Sequence, residues 1–272
     1  MATSIKAALA IGAAALVGVC DRPRFEAAIL LGFVLGLERA ALIVRENDPI
    51  GVDDRERFLE LVARRAKHEP IEYITGTAGF YARTFLTAHG VLIPRPETEL
   101  LVDLAAGIAA ERGVTKIAEI GTGSGAIAVM LAILLPFARI TATDINPTAI
   151  DLARRNAERF SVADRILFVQ ADLLGNLGAD YEMVVSNPPY IAASYDQPKA
   201  LGYEPQNALV GGAIGTEILE AIVALRAPLL ACECGYDQEA PLSAALAKNG
   251  YKSVSFYRDY ADLTRGFFAE RE

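Results

Sequence analysis

Cysteine and histidine are scarce in this 272-residue chain, with three and two copies, and basic charge is not in excess. So few cysteines (Cys20, Cys232, Cys234) cannot build a disulfide framework and suit a reducing compartment. Cys232 and Cys234 lie two apart and face one way on a strand, but with only His68 and His89 beside them they make no structural zinc set. Buried small hydrophobes is the better reading of both, and no metal is expected. The net charge of −8 and the lack of any basic tract argue against duplex nucleic acid as the partner. No internal repeat or low-complexity tract is present. The apolar run after Lys6 resembles the core of a secretory leader but is too short to span a bilayer. Its helical spacing (Ile5, Leu9, Ala13, Leu16 and Val17 behind a Thr3 or Ser4 cap) instead predicts an amphipathic helix in a cytoplasmic protein.

What is there is apolar enough for a large core. Periodicity predicts helices over Phe25–Leu35, Leu37–Arg45 and Asp53–Ala66. From Ile71 to Ile93, alternating aromatic and β-branched residues around Gly76, Gly79 and Gly90 read as one hairpin or two. I-P-R-P-E-T-E, Ile93 to Glu99, stiffens the entry to a helix at Leu100. Strands and helices then alternate. The strands are Lys116–Ile120, Arg139–Asp144, Arg165–Asp172, Glu182–Asn187 and Leu229–Glu233. The helices are Gly125–Leu135, Pro147–Arg159, Glu217–Leu225 and Glu239–Lys248. This alternation implies an α/β fold with a mostly parallel sheet covered on both faces. Strands at Lys252–Asp259 and Gly266–Ala269 have no helix between them and should pair antiparallel.

Two motifs carry chemistry. E-I-G-T-G-S-G follows the first strand of the alternating region, with Gly121, Thr122, Gly123, Ser124 and Gly125 forming a tight loop that lets a ligand approach the backbone. In open α/β sheets that position faces the ligand, and Asp144, ending the next strand, can accept both hydroxyls of a ribose. Gly121, Gly123 and Ala126 satisfy the dinucleotide fingerprint as well, so the loop alone leaves NAD open. Glu119 disfavours a pyrophosphate and suits an ammonium, as S-adenosylmethionine carries. Asp172 offers a further acceptor at the adenine end, or is only a turn residue. The second motif, S-N-P-P-Y-I, ends a strand at Asn187. The Asn187 carbonyl and the Pro188 backbone carbonyl can each accept one N–H of a planar NH₂ group, and Pro188-Pro189 holds them still. Tyr190 can stack on a flat amide or base. Read without context, the same residues are a strand leaving a sheet through a Pro-Pro turn.

With these motifs the sequence resembles the Rossmann-like S-adenosylmethionine-dependent methyltransferases. More narrowly, it resembles the glutamine-N5 methyltransferases of peptide chain release factors (HemK/PrmC-type). E-P-I-E-Y-I-T-G-T-A-G-F-Y from Glu69, V-L-I-P-R-P-E-T-E from Val91, Y-E-P-Q-N-A-L-V-G-G from Tyr203 and E-C-G-Y-D-Q from Glu233 carry the likeness almost end to end. The resemblance implies a seven-stranded methyltransferase sheet with an antiparallel last strand over 95–272. Before it come a helical substrate-binding domain over 1–70 and a β-hairpin linker over 71–94. It implies that Glu119, the 121–125 loop, Asp144, Asp172, Leu173 and Asn187 meet S-adenosylmethionine. It implies that Asn187, Pro188, Pro189 and Tyr190 hold the acceptor, the glutamine in the Gly-Gly-Gln loop of class 1 release factors, in a monomer with no direct nucleic acid contact. Rival readings are a glutamine methyltransferase of a ribosomal protein, an amino-methyltransferase of DNA or RNA bases, a nicotinamide-dependent oxidoreductase and a silent binding module. Three features depart from the family: Ala213 to Thr216, including Ile214, after Gly212; Asp262 where glycine is usual; and Leu173 where an aromatic is frequent.

Overall fold

The computed structural model describes residues 3–178 and 180–271. The chain forms two compact units, Met1–Thr77 with Pro198–Tyr203, and Ala78–Gln197 with Glu204–Glu272.

The first unit is helical: α1 (Ile5–Ala15), α2 (Pro23–Leu35), α3 (Arg39–Val44), α4 (Val52–Arg65) and α5 (Ile71–Thr75). Ser4 caps α1 through a hydrogen bond from Ala7 N–H. Pro23 opens α2, and Gly36 closes it in the left-handed region. Gly12 lets α1 approach closely, because a Cβ there would stand 2.5 Å from the ring of Phe58. Ile5, Ala13 and Leu16 of the expected stripe are buried, but Val17 is 72% exposed. The helix ends at Ala15, so position 17 no longer follows its period. The hairpin expected from Ile71 is also shifted. Pro70 starts a helical turn that buries Tyr73 and Ile74, and Gly76, with φ 73°, ends it. The strands come after it, β1 (Thr77–Phe80) and β2 (Arg83–Leu86). Their two-residue turn has positive φ at both Tyr81 and Ala82, the form that matches strand twist, here without the usual glycine.

The second unit continues with α6 (Thr98–Arg112), β3 (Lys116–Ile120), α7 (Ala126–Leu134), β4 (Arg139–Asp144), α8 (Pro147–Arg159) and β5 (Ile166–Gln170). There follow β6 (Met183–Ser186), β7 (Ile191–Ala192), β8 (Val210–Gly212), α9 (Glu217–Val223), β9 (Leu229–Glu233), α10 (Glu239–Lys248), β10 (Ser253–Arg258) and β11 (Thr264–Glu270). Seven strands make one sheet in the order β10-β11-β9-β6-β3-β4-β5. The five from β9 to β5 are parallel, and β11 runs antiparallel to both its neighbours. Each central strand supplies two cores. Ile117, Val185 and Ala231 pack with α6 and α7, whereas Ala118, Val184 and Leu230 pack with α9 and α10. Burial on both faces explains why these strands are continuously apolar instead of alternating. Cys232 and Cys234 belong to the second core, as small hydrophobes.

One buried polar residue locks this unit. Asn156 of α8 is fully buried; its Nδ2 donates to Leu86 O at 3.1 Å and Ser124 O at 2.8 Å, and its Oδ1 accepts Leu86 N–H at 2.8 Å. It ties the second hairpin strand to the glycine loop. Asn156→Ala should destabilise the protein by about 2–4 kcal/mol, from several buried groups losing partners, which denaturant titration would measure.

Candidate active site

The parallel order puts the loop after β3 between the ends of β4 and β6, the place where open α/β sheets hold ligands. Gly121, Gly123 and Gly125 all have positive φ (71°, 54° and 81°). Their reasons differ. A Cβ on Gly121 would meet no protein atom within 4 Å and would stand in open cavity. At Gly125 it would stand 2.9 Å from both Cα and Cβ of Ala153, so the start of α7 packs directly on α8. Thr122 N–H donates to Thr143 O at 2.9 Å, and Gly123 N–H to Asp144 Oδ2 at 2.9 Å, which pins the loop to β4. Asp144 Oδ1 accepts Asn146 N–H at 2.9 Å. Burial pushes the Asp144 pKa up, against the pull of these N–H groups.

Glu119 is completely buried beneath the loop. Thr122 Oγ1 donates to its Oε2 at 2.7 Å, while Oε1 has no hydrogen-bond partner. Burial pushes its pKa up to about 8; the Thr122 hydroxyl opposes this and the Asp144 charge adds to it. The unfolded chain releases this proton near 4.5, well before the folded one. The contribution of Glu119 to the stability of the ligand-free protein is therefore fully present below pH 4.5 and is lost as pH rises to about 8. Thermal unfolding of the wild type and of Glu119→Gln across that range should show a smaller decline in the variant.

A cavity of about 180 Å³ opens at this loop. Its lining brings together Gly121, Thr122, Gly123, Ser124, Asp144, Asp172, Leu173, Asn187, Pro188 and Pro189. Glu119, Gly125 and Tyr190 are not in the lining. Leu173 enters it with φ 48°, and its carbonyl accepts the Thr143 hydroxyl at 2.6 Å. Arg95 is the basic side chain of the lining, and it is ion-paired to buried Glu204, whose Oε2 also takes Ile93 N–H at 3.1 Å. That leaves poor provision for a pyrophosphate. The Asp144 carboxyl at the end of β4 and the open space at Gly121, both in the lining, fit S-adenosylmethionine, which carries a ribose and no phosphate.

Asn187 follows β6 directly, one strand from the loop on β3. Its Nδ2 donates to Thr98 Oγ1 at 2.9 Å, and Thr98 Oγ1 donates to Glu233 Oε2 at 2.7 Å. Tyr190, expected to stack on the acceptor, donates its hydroxyl to Glu233 Oε1 at 2.9 Å and packs against the second core. Burial raises the Tyr190 pKa, and the Glu233 charge raises it further. Thr98, Glu204 and Glu233 were missed as site residues, although each lies in a quoted family phrase. Their partners are too distant in sequence for any spacing to reveal.

The departures are accommodated locally. Glu217 Oε1 accepts Ile214 N–H at 3.1 Å, and Thr216 Oγ1 donates to Glu220 Oε1 at 2.8 Å, which secures the start of α9. Asp262 takes φ 60°, the conformation glycine would supply and one that aspartate tolerates. Beside it, Asp259 pairs with Arg265 at 2.7 Å. Among the described residues no three His, Cys, Asp or Glu side chains cluster as metal ligands would, and no helix is long and apolar enough to cross a membrane.

Residues 7–76 match the PrmC N-terminal domain, and residues 97–202 the Methyltransferase small domain. The release factor glutamine methyltransferase of Chlorobaculum tepidum is 38% identical over 265 residues, 90% of each chain. That of Moorella thermoacetica is 38% identical over 264 residues, 93% of each. Among solved structures, the human METTL16 catalytic domain superposes with a TM-score of 0.57 over 81% of this chain and 82% of that one. At 18% identity that likeness speaks for the fold alone. The chain belongs to the release factor glutamine methyltransferase family and is an S-adenosylmethionine-dependent methyltransferase.

Proposed function

We propose that this enzyme methylates the side-chain amide nitrogen, N5, of the glutamine in the Gly-Gly-Gln motif of class 1 peptide chain release factors. The observation that carries this reading is Asn187, seated at the carboxyl end of β6 beside the glycine loop. Gly121 to Gly125 and Asp144 hold the donor through loop backbone and ribose hydroxyls, with the buried Glu119 beneath the loop as counter-charge for its ammonium and Asp172 and Leu173 at its adenine end. When bound, S-adenosylmethionine supplies an electrophilic methyl group on a sulfonium.

The residues of the chain act on the acceptor. An amide nitrogen is a poor nucleophile because its lone pair is delocalised into the carbonyl. Asn187 Oδ1 and Pro188 O each accept one of its hydrogens, which fixes the NH₂ plane and stabilises the positive charge that develops on nitrogen. Pro188 and Pro189 keep these acceptors in place before the substrate arrives. No covalent enzyme intermediate is required, and the methylated nitrogen returns to neutrality by giving one of its two hydrogens to water as a proton. The helical domain, residues 1–70, grips the release factor, the 71–94 segment links it to the catalytic domain over 95–272, and the protein works as a cytoplasmic monomer. The names of the relatives support the substrate assignment.

A competition experiment tests it. Labelled S-adenosylmethionine is supplied with a class 1 release factor, ribosomes, DNA and RNA in one mixture. Label should enter the release factor; label in a ribosomal protein or in a nucleic acid would replace this reading with one of its rivals.

A further inference from the structure

An asparagine side chain fits its site in two orientations related by a flip, and the two have opposite chemistry. With the carbonyl toward an incoming NH₂ group, Asn187 accepts a hydrogen. With its own NH₂ there, two donors would face each other. Something must therefore choose the orientation, and the surroundings of Thr98 contain the choice.

Glu233 is buried, with 1% of its surface exposed; burial raises its pKa, the hydroxyls of Thr98 and Tyr190 oppose that rise, and the carboxylate they hold can only accept. Its two oxygens each take one hydroxyl: Oε1 that of Tyr190 at 2.9 Å and Oε2 that of Thr98 at 2.7 Å. A threonine hydroxyl has a single proton, so at Thr98 it is committed to Glu233. Only lone pairs remain for Asn187, 2.9 Å away. The asparagine must then turn its NH₂ toward Thr98, which leaves Oδ1 as the opposite end of the amide.

We propose that Thr98 and Glu233 are positioning residues that set the polarity of the Asn187 amide, so that its carbonyl meets the NH₂ of the acceptor. This rests on the reading that Asn187 receives a glutamine amide. The direction of each hydrogen bond propagates from Glu233 through Thr98 to Asn187, and it makes the site selective. A glutamate carboxylate would bring lone pairs against the lone pairs of Oδ1, whereas a glutamine amide brings a hydrogen. The Thr of P-R-P-E-T-E, 89 residues before Asn187, and the Glu of E-C-G-Y, 135 residues after that Thr, are thereby joined to the chemistry of N-P-P-Y.

The test compares Thr98→Val, which keeps the side-chain shape and removes the hydroxyl, with Thr98→Ser, which keeps the hydroxyl. Thr98→Val should lower kcat on a release factor roughly 10- to 100-fold, as loss of an orienting partner does, with KM and S-adenosylhomocysteine affinity moving less than about twofold. Thr98→Ser should recover most of kcat. A second readout needs no substrate. The Asn187 side-chain NH₂ signals, identified by their loss in Asn187→Ala, should exchange with water slowly in the wild type and Thr98→Ser, and faster in Thr98→Val. If Thr98→Val does not fold, Glu233→Gln replaces it, because the glutamine must put a donor where one hydroxyl donated, and kcat should again fall. Full kcat in these variants, a serine variant as slow as the valine one, or unchanged NH₂ exchange would overturn the proposal. Absence of release factor methylation by the wild type would count against the substrate assignment instead, with the exchange measurement still deciding the orientation.

Discussion

Asn187→Ala is expected to lower kcat by about 1–3 kcal/mol of activation free energy, the range for one preorganised polar contact made in the transition state. S-adenosylhomocysteine should still bind that variant with nearly wild-type affinity. The split follows from placement. The loop contacts that hold the donor, from Thr122 to Thr143 and from Gly123 to Asp144, do not pass through Asn187. What Asn187 contributes is an acceptor for a hydrogen that becomes more acidic as its nitrogen attacks. Steady-state kinetics with a release factor, beside calorimetric titration with S-adenosylhomocysteine, would show both halves of the result. A variant that methylates at the normal rate would remove Asn187 from the mechanism.

Gly125→Ala is the second large effect, and its cause is steric. The added Cβ would sit 2.9 Å from Cα and Cβ of Ala153, inside the buried contact of α7 with α8, at a residue whose φ is 81°. The left-handed conformation costs an L-residue about 1–2 kcal/mol, and overpacking a filled contact costs about 1–3 kcal/mol more. Gly121→Ala is the control. It has the same sign of φ but meets no protein atom within 4 Å, so it should lose the dihedral term and no packing. Instead its methyl group would occupy the cavity and weaken donor binding. Urea titration and S-adenosylhomocysteine calorimetry on the pair should separate the two glycines. Equal stability of the two variants would contradict the packing account.

The legible parts of the sequence were those with short-range causes. Lys116–Ile120, Arg139–Asp144, Pro147–Arg159, Leu229–Glu233 and Glu239–Lys248 were read to the residue, because apolar strands buried on both faces alternate sharply with helices. The glycine loop and Asn187 were legible because glycine and proline restrict the backbone wherever they occur. Long-range pairings were not legible. Thr98 reads as part of the stiff entry to a helix and Glu233 as the end of a strand until the sheet brings them to Asn187. Asn156 looks like any polar break in an apolar stripe, and only the fold shows that it spans from Leu86 to Ser124. The hairpin lies within the expected segment, but that segment's first five residues form a helical turn for a local reason. Alternation and one helical turn look alike over five residues, and Pro70 with Gly76 decided for the helix.

The most direct test of the account maps the methyl group itself. A class 1 release factor purified from cells lacking this enzyme is incubated with the enzyme and S-adenosylmethionine, then digested and sequenced by tandem mass spectrometry. The account predicts one methyl group on the side chain of the Gly-Gly-Gln glutamine. A methyl group on another residue, or an unmodified motif after prolonged incubation with active enzyme, would contradict it.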